Sequence, residues 1–196
     1  LYNSIDWATE SISSEVAADL DFSKVNFNKL NLDNLDINDI DFTELGKNYK
    51  KVKWDEINYS ELNDASKEAI DWAKVDLKKA AKADSFTLDT IDWKDLNSST
   101  KSAKLYNSID WATESISSEV AANLDFSKVN FNKLNLDNLD INDIDFTELG
   151  KNYKKLKWDK VDYSALDSDS ISAIDWTKVD LKKAKKSETF DLDVVD

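Results

Sequence analysis

The residues best placed to do chemistry in this chain are its carboxylates, its seven tryptophans and two islands of lysine. The run Asp33-Asn34-Leu35-Asp36-Ile37-Asn38-Asp39-Ile40-Asp41 has the oxygen density of a calcium site, and Ca²⁺ takes about six to eight oxygens. EF-hand spacing fails, because no Gly stands at the sharp turn and no Glu closes the loop. Gly46 and Gly150 are the only glycines, which also excludes a glycine-rich calcium nonapeptide. The run therefore reads as a solvated acidic face: weak, multiple Ca²⁺ binding stays open, and no specific metal site or cofactor is assigned. Trp7, Trp54, Trp72, Trp93, Trp111, Trp158 and Trp176 could stack on sugar faces while nearby aspartates bond the hydroxyls. Five of them follow an apolar-Asp pair, and Trp54 and Trp158 follow Val52-Lys53 and Leu156-Lys157 in the same rhythm. That common slot assigns all seven to the interior.

Carboxylate pairs are so frequent that two at glycosidase separation would arise by chance almost anywhere. With no Cys and no His, thiolate sites, imidazole ligands and the commonest general base are gone. The chain is read as not an enzyme, with no catalytic, cofactor-binding or metal residue. Lys47 to Lys53 and Lys78 to Lys82 are basic islands in a chain of net charge -14 with no Arg. They read as solvated spacers, with pairing to the acidic face of another copy as the alternative. The acidity argues against nucleic-acid or anionic-membrane binding, and no apolar run is long enough for membrane insertion. At 41% hydrophobic and 11% aromatic, the 196 residues can still bury a core.

The elements that position these groups come from repetition. Leu1-Tyr2-Asn3-Ser4-Ile5-Asp6-Trp7 begins again at Leu105, 104 residues on, and through residue 51 the only change is Asp19 to Asn123. Residues 1–104 are a first copy and 105–196 a second, shorter by about a dozen residues. The two are expected to form one continuous solenoid, and the chain reads as a window on a longer array. Inside each copy runs a period of five: Leu20-Asp21-Phe22-Ser23-Lys24 is followed by four similar pentads to Ile40-Asp41-Phe42-Thr43-Glu44. Each has an apolar residue first, Asp or Asn second, an apolar residue third and two polar ones. Neither a helix nor a long strand keeps that spacing on one face. A chain extended for three residues and then turning does, which predicts a mainly-β solenoid of coils about 20 residues long. Trp-bearing triplets at residues 52, 70, 91 and 109, stepping 18 to 21, suit that period. Polar stretches at 63–69, 81–85 and 97–104 predict loops or single helical turns. Residues 8–19, with Ile12, Val16 and Leu20 four apart and Asp6 as cap, predict a helix.

The pentads resemble the pentapeptide-repeat family, with Asp21, Asn26, Asn31, Asp36 and Asp41 at its Asp/Asn position and Phe22, Phe27, Leu32, Ile37 and Phe42 at its central position. Leu20, Val25, Leu30, Leu35 and Ile40 stand where that family prefers small residues. The resemblance implies a right-handed quadrilateral β-helix. The structural alternative is a leucine-rich-repeat-like α/β solenoid, suggested by Trp72-x-x-Val75-x-Leu77, although Ala80 replaces its Asn or Cys. The function expected is structural: a non-enzymatic rod, filament or scaffold strut whose partner is itself, by tandem-copy or end-to-end stacking. An exposed place such as a cell surface suits its composition without being fixed by it. The alternative is an acidic protein-binding module, either a DNA mimic or a Ca²⁺-stiffened adhesin arm.

Overall fold

The computed structural model describes residues 2–195 and divides into two units, Leu1–Ser99 and Thr100–Asp196. Among the described residues there is no β-strand: the elements are eight short α-helices and fifteen 3-10 helices. The mainly-β solenoid and the quadrilateral β-helix implied by the pentapeptide-repeat resemblance are overturned. So is the leucine-rich-repeat alternative, which needs a strand in each repeat. No helix among these residues is long and apolar enough to cross a membrane.

The pentad itself explains the missing strands. In Asp36-Ile37-Asn38-Asp39-Ile40, Asp36 is extended (φ −70°, ψ 126°) and its Oδ1 accepts the Asn38 N–H at 2.9 Å. Ile37–Asp39 then close a 3-10 turn, with Asp39 N donating to Asp36 O at 3.0 Å. Asp41 caps Phe42–Glu44 and Asn31 caps Leu32–Asn34 in the same way. The Asp or Asn therefore opens each turn, where a short polar acceptor is favoured. Backbone donors that a β-ladder would need are spent inside the pentad. The first and third residues still point inward: Leu30, Phe42 and Leu45 are fully buried, and Ile37 and Ile40 nearly so.

Helices occupy the spacers. α1 (Ser14–Ala18) is capped by Ser13 rather than Asp6, because Ile12 is held by a 2.8 Å bond from its N–H to Asn34 O. Asp6 instead accepts the Ala8 N–H in a local turn, so the helix expected over 8–19 shrinks to the five residues Ser14–Ala18. α2 (Asp64–Ala69) starts at the Asn63 cap, and α3 (Leu77–Ala80) at Asp76. α4 (Trp93–Ser98) and α5 (Ser102–Tyr106) lie on either side of the unit boundary. In the second unit, α6 (Ser118–Ala121), α7 (Ser168–Ala173) and α8 (Leu181–Ala184) repeat the series.

Successive coils are tied by side chains. Asn38 Nδ2 donates to Glu61 O and its Oδ1 accepts from Asn63 N, both at 2.9 Å, so one amide supplies a rung of the absent ladder. Asn48, 2% exposed, aims Nδ2 at Phe22 O, Ser23 O and Val25 O at 2.8–3.1 Å. Tyr49 Oη accepts from Asp71 N at 2.8 Å and donates to Phe42 O at 3.0 Å. These ties join residues 22 to 26 apart, so the coils are longer than the 20 residues expected. The second unit reproduces them at Asn142, Asn152 and Tyr153.

All seven tryptophans are buried, and each indole N–H donates to the backbone carbonyl five residues earlier, at 2.8–3.3 Å. Five is the pentad length, so the indole reaches back by one pentad. Trp54 also stacks near Phe42 and Tyr49, with ring centroids 6.5 and 5.9 Å apart. Gly46, at φ 50°, is needed where the pentads give way to the turn that delivers Asn48 and Tyr49. A Cβ there would meet nothing within 4 Å, so only the backbone conformation resists substitution.

Two outcomes follow from this framework. Asn48→Ala strands two buried carbonyls, Phe22 O and Val25 O, and costs about 2–6 kcal/mol, from about 1–3 kcal/mol for each unsatisfied group, with a matching drop in the urea midpoint. Gly46→Ala costs only about 1 kcal/mol; an equal loss for both variants in urea titrations would contradict the assignment.

Candidate functional site

The acidic run Asp33–Asp41 is the first candidate; two of its carboxylates are engaged as turn caps, while Asp39 Oδ2 is buried without a hydrogen-bond partner among the described residues. Asp36 Oδ1 holds the Asn38 N–H and side-chain amide, at 2.9 and 3.0 Å. Asp41 Oδ1 takes the Thr43 N–H, and Asn31 Oδ1 takes the Asp33 N–H. Among the described residues no three His, Cys, Asp or Glu side chains gather where a metal ion could be held. Capping spreads the carboxylates along successive turns and keeps them from converging. The groove beside this run, lined by Ser11, Asp33, Asp36, Asn38 and Glu61, encloses about 630 Å³.

A second cleft of about 540 Å³ is walled by Glu68, Asp71, Asp92, Lys94, Asp95 and Ser98. It contains the one carboxylate here with a distinctive setting. Asp95 Oδ2 accepts the Trp72 N–H at 3.0 Å from the coil before. Burial pushes the Asp95 carboxyl above the usual range, and the charges of Asp71 and Asp92 push it further, against the pull of the Trp72 N–H. Asp71 itself is paired with Lys74 at 2.6 Å. The arrangement ties two coils together; it holds no nucleophile beside a base and no cluster of donors for an oxyanion.

The tryptophans offer no stacking platform. Trp72, Trp111 and Trp158 are fully buried, and the most exposed, Trp176, reaches only 8%. Of the lysine islands, Lys47, Lys50, Lys51, Lys78, Lys79 and Lys82 are exposed and Lys53 is half-buried, paired with Glu56 at 3.0 Å. Another lysine set recurs by design of the repeat. Lys74 and Lys178 each bridge to the aspartate three residues before and lie 5.4 and 5.5 Å from the centroids of Tyr49 and Tyr153. That same tyrosine hydroxyl holds the aspartate's N–H. Burial pushes the Tyr49 hydroxyl up to about 12, so it stays a neutral donor across the range where the protein works as a fold.

Sequence reasoning missed Asn38, Asn48, Tyr49 and Asp95. A signal for two of them was present: Gly46-Lys47-Asn48-Tyr49-Lys50 breaks the pentads and returns unchanged at 150–154. No protein-family model, curated protein or solved structure matches the chain.

Asp95→Asn keeps an acceptor for Trp72 N–H while removing a desolvated charge. Because the folded carboxyl titrates above its unfolded value of about 3.9, ionisation weakens the fold as pH rises through the folded value. The variant should therefore melt higher than the parent at pH 7, and the gain should vanish below about pH 3. A gain that persists at low pH would assign the effect to packing instead.

Proposed function

We propose that the chain is a non-enzymatic structural repeat protein, a strut or scaffold element lengthened by adding copies. The observation carrying this reading is the exact reuse of polar groups for internal bonding. Asn48 and Asn152 each span three carbonyls, Asn38 and Asn142 each supply a rung, and Tyr49 and Tyr153 each bridge two elements, at matching distances. Side chains that could have met a substrate are committed to holding one coil to the next. Such an architecture is quasi-one-dimensional: each coil is stabilised by its neighbours, and stability accumulates with copy number. The net charge of -14 keeps such chains soluble and apart sideways.

Small-angle scattering on chains of two, three and four copies tests the reading. A strut adds a constant increment to the maximum dimension with each copy at constant cross-section. Growth as about the 0.38 power of residue number, the rule for compact domains, would sink it. Electron microscopy across a concentration series separates covalent lengthening from end-to-end filaments. Tight, steeply salt-dependent capture of a basic DNA-binding protein would favour the acidic binding module instead.

A further inference from the structure

Both units carry the same lysine turn, the 3-10 helix Gly46–Lys50 and its repeat Gly150–Lys154. Residues three apart stand over one another in such a helix, which sorts its side chains into faces. Tyr49 points inward, 3% exposed, donating to Phe42 O and accepting from Asp71 N. Asn48 points inward too, bonded to Phe22 O and Val25 O. Lys47 and Lys50 share the face that is left, and both are exposed, as is Lys51 after them. Among the described residues no ion pair reaches any of the three, nor Lys151, Lys154 or Lys155.

About half a coil away lies the groove lined by Ser11, Asp33, Asp36, Asn38 and Glu61. Asn38 Nδ2 donates to Asp36 Oδ1 at 3.0 Å and to Glu61 O at 2.9 Å, which sets carboxylates of two successive coils on its walls. No lysine lines the groove, and among the described residues no ion pair reaches Asp33, Asp36 or Glu61. Asp36 and Asn48 stand 12 residues apart in a chain whose coils are tied every 22 to 26 residues. The turn and the groove therefore look to different sides of one coil, and neither neutralises the other. The second copy retains Asp137 and Asp140 and has Ala165 in place of Glu61.

We propose that the Gly46–Lys50 turn is a docking face for the carboxylate groove of a second copy of this chain lying alongside. Charge complementarity selects this occupant: Lys47 and Lys50, one 3-10 turn or about 6 Å apart, meet Asp33 and Asp36, themselves three residues apart. Tyr49 and Asn48 fix the turn in advance, so docking orders only the lysine side chains. Exposed ion pairs are weak singly, but the lysine turn and its aspartates recur in both copies, and contacts repeated along two neighbouring chains add through multivalency. The net charge of -14 keeps chains apart in every other register, which makes the contact selective. The inference rests on the strut reading for the repetition of these faces and adds a lateral partner to it.

The test is sedimentation of the 196-residue chain, up to about 1 mM, at about 0.01 M and about 1 M salt, where charges are felt over about 30 Å and about 3 Å. Self-association should be present at the lower salt and lost at the higher. Lys47→Glu and Lys50→Glu, made together with Lys151→Glu and Lys154→Glu, should weaken it about tenfold or more. Asp33→Lys with Asp137→Lys should do the same. The two sets move the net charge in opposite directions, so a shared loss cannot come from overall repulsion. A mixture of the two variants should associate again, because each keeps the face that the other has lost. Where Asp33→Lys disturbs its turn, Asp33→Asn with Asp137→Asn gives the same comparison, and unchanged urea midpoints establish that the variants are folded. A parent chain that is monomeric at both salts, association that grows with salt, or a mixture that stays monomeric overturns the proposal. Loss in the lysine variant alone would give the turn a different anionic partner and overturn it as well. Failure of linear growth in scattering would instead remove the strut reading while leaving this comparison of variants intact.

Discussion

Every other feature of this molecule depends on how the backbone of a five-residue period satisfies its own hydrogen bonds. A buried unpaired N–H or C=O costs as much as a lost bond, and a chain with two extended residues per pentad offers too short a stretch for a ladder. Asp36, Asp41 and their equivalents resolve this locally by accepting the N–H two residues on. Once those donors are spent, coils can stack only through side chains. Asn38 and Asn48, each carrying a donor and an acceptor, take the place that a neighbouring strand would fill.

The aromatic core follows from the same constraint. The pentad leaves carbonyls facing inward as well as apolar side chains, and a purely aliphatic interior would leave them unpaired. Tryptophan answers both needs, since its ring fills the wide interior and its N–H reaches the carbonyl one pentad back. Tyr59 does likewise, donating to Trp54 O at 2.8 Å. The large residues at Leu20, Val25 and Leu30, awkward for a narrow square coil, fit once each coil lengthens and its spacers become helical.

In a chain built this way many polar side chains serve internal bonding. Several of its carboxylates cap turns or pair with the lysine three residues on, and Asp95, whose carboxyl burial raises, grips a neighbouring coil. Structural repetition and the commitment of polar groups are two faces of one economy. Among the described residues few large apolar side chains are left in water.

The sequence by itself determined the repeat and the inward sense of the first and third pentad residues, because burial follows the spacing of apolar side chains whatever the backbone does. It also carried the turn signal at the Asp/Asn position. Whether the residues around that signal run as strands or as 3-10 turns was not legible: an extended triplet and a capped turn place the same two side chains inside, and only the competition for backbone donors separates them. The roles of Asn38, Asn48 and Asp95 were hidden because each bonds a residue 23 to 26 positions away. Val16 and Val120 make the limit plainest. Their neighbours in the two copies differ only at Asp19 and Asn123, yet one is exposed and the other buried. Tertiary structure alone decides between them, because exposure depends on what packs against a surface and not on the residues that form it.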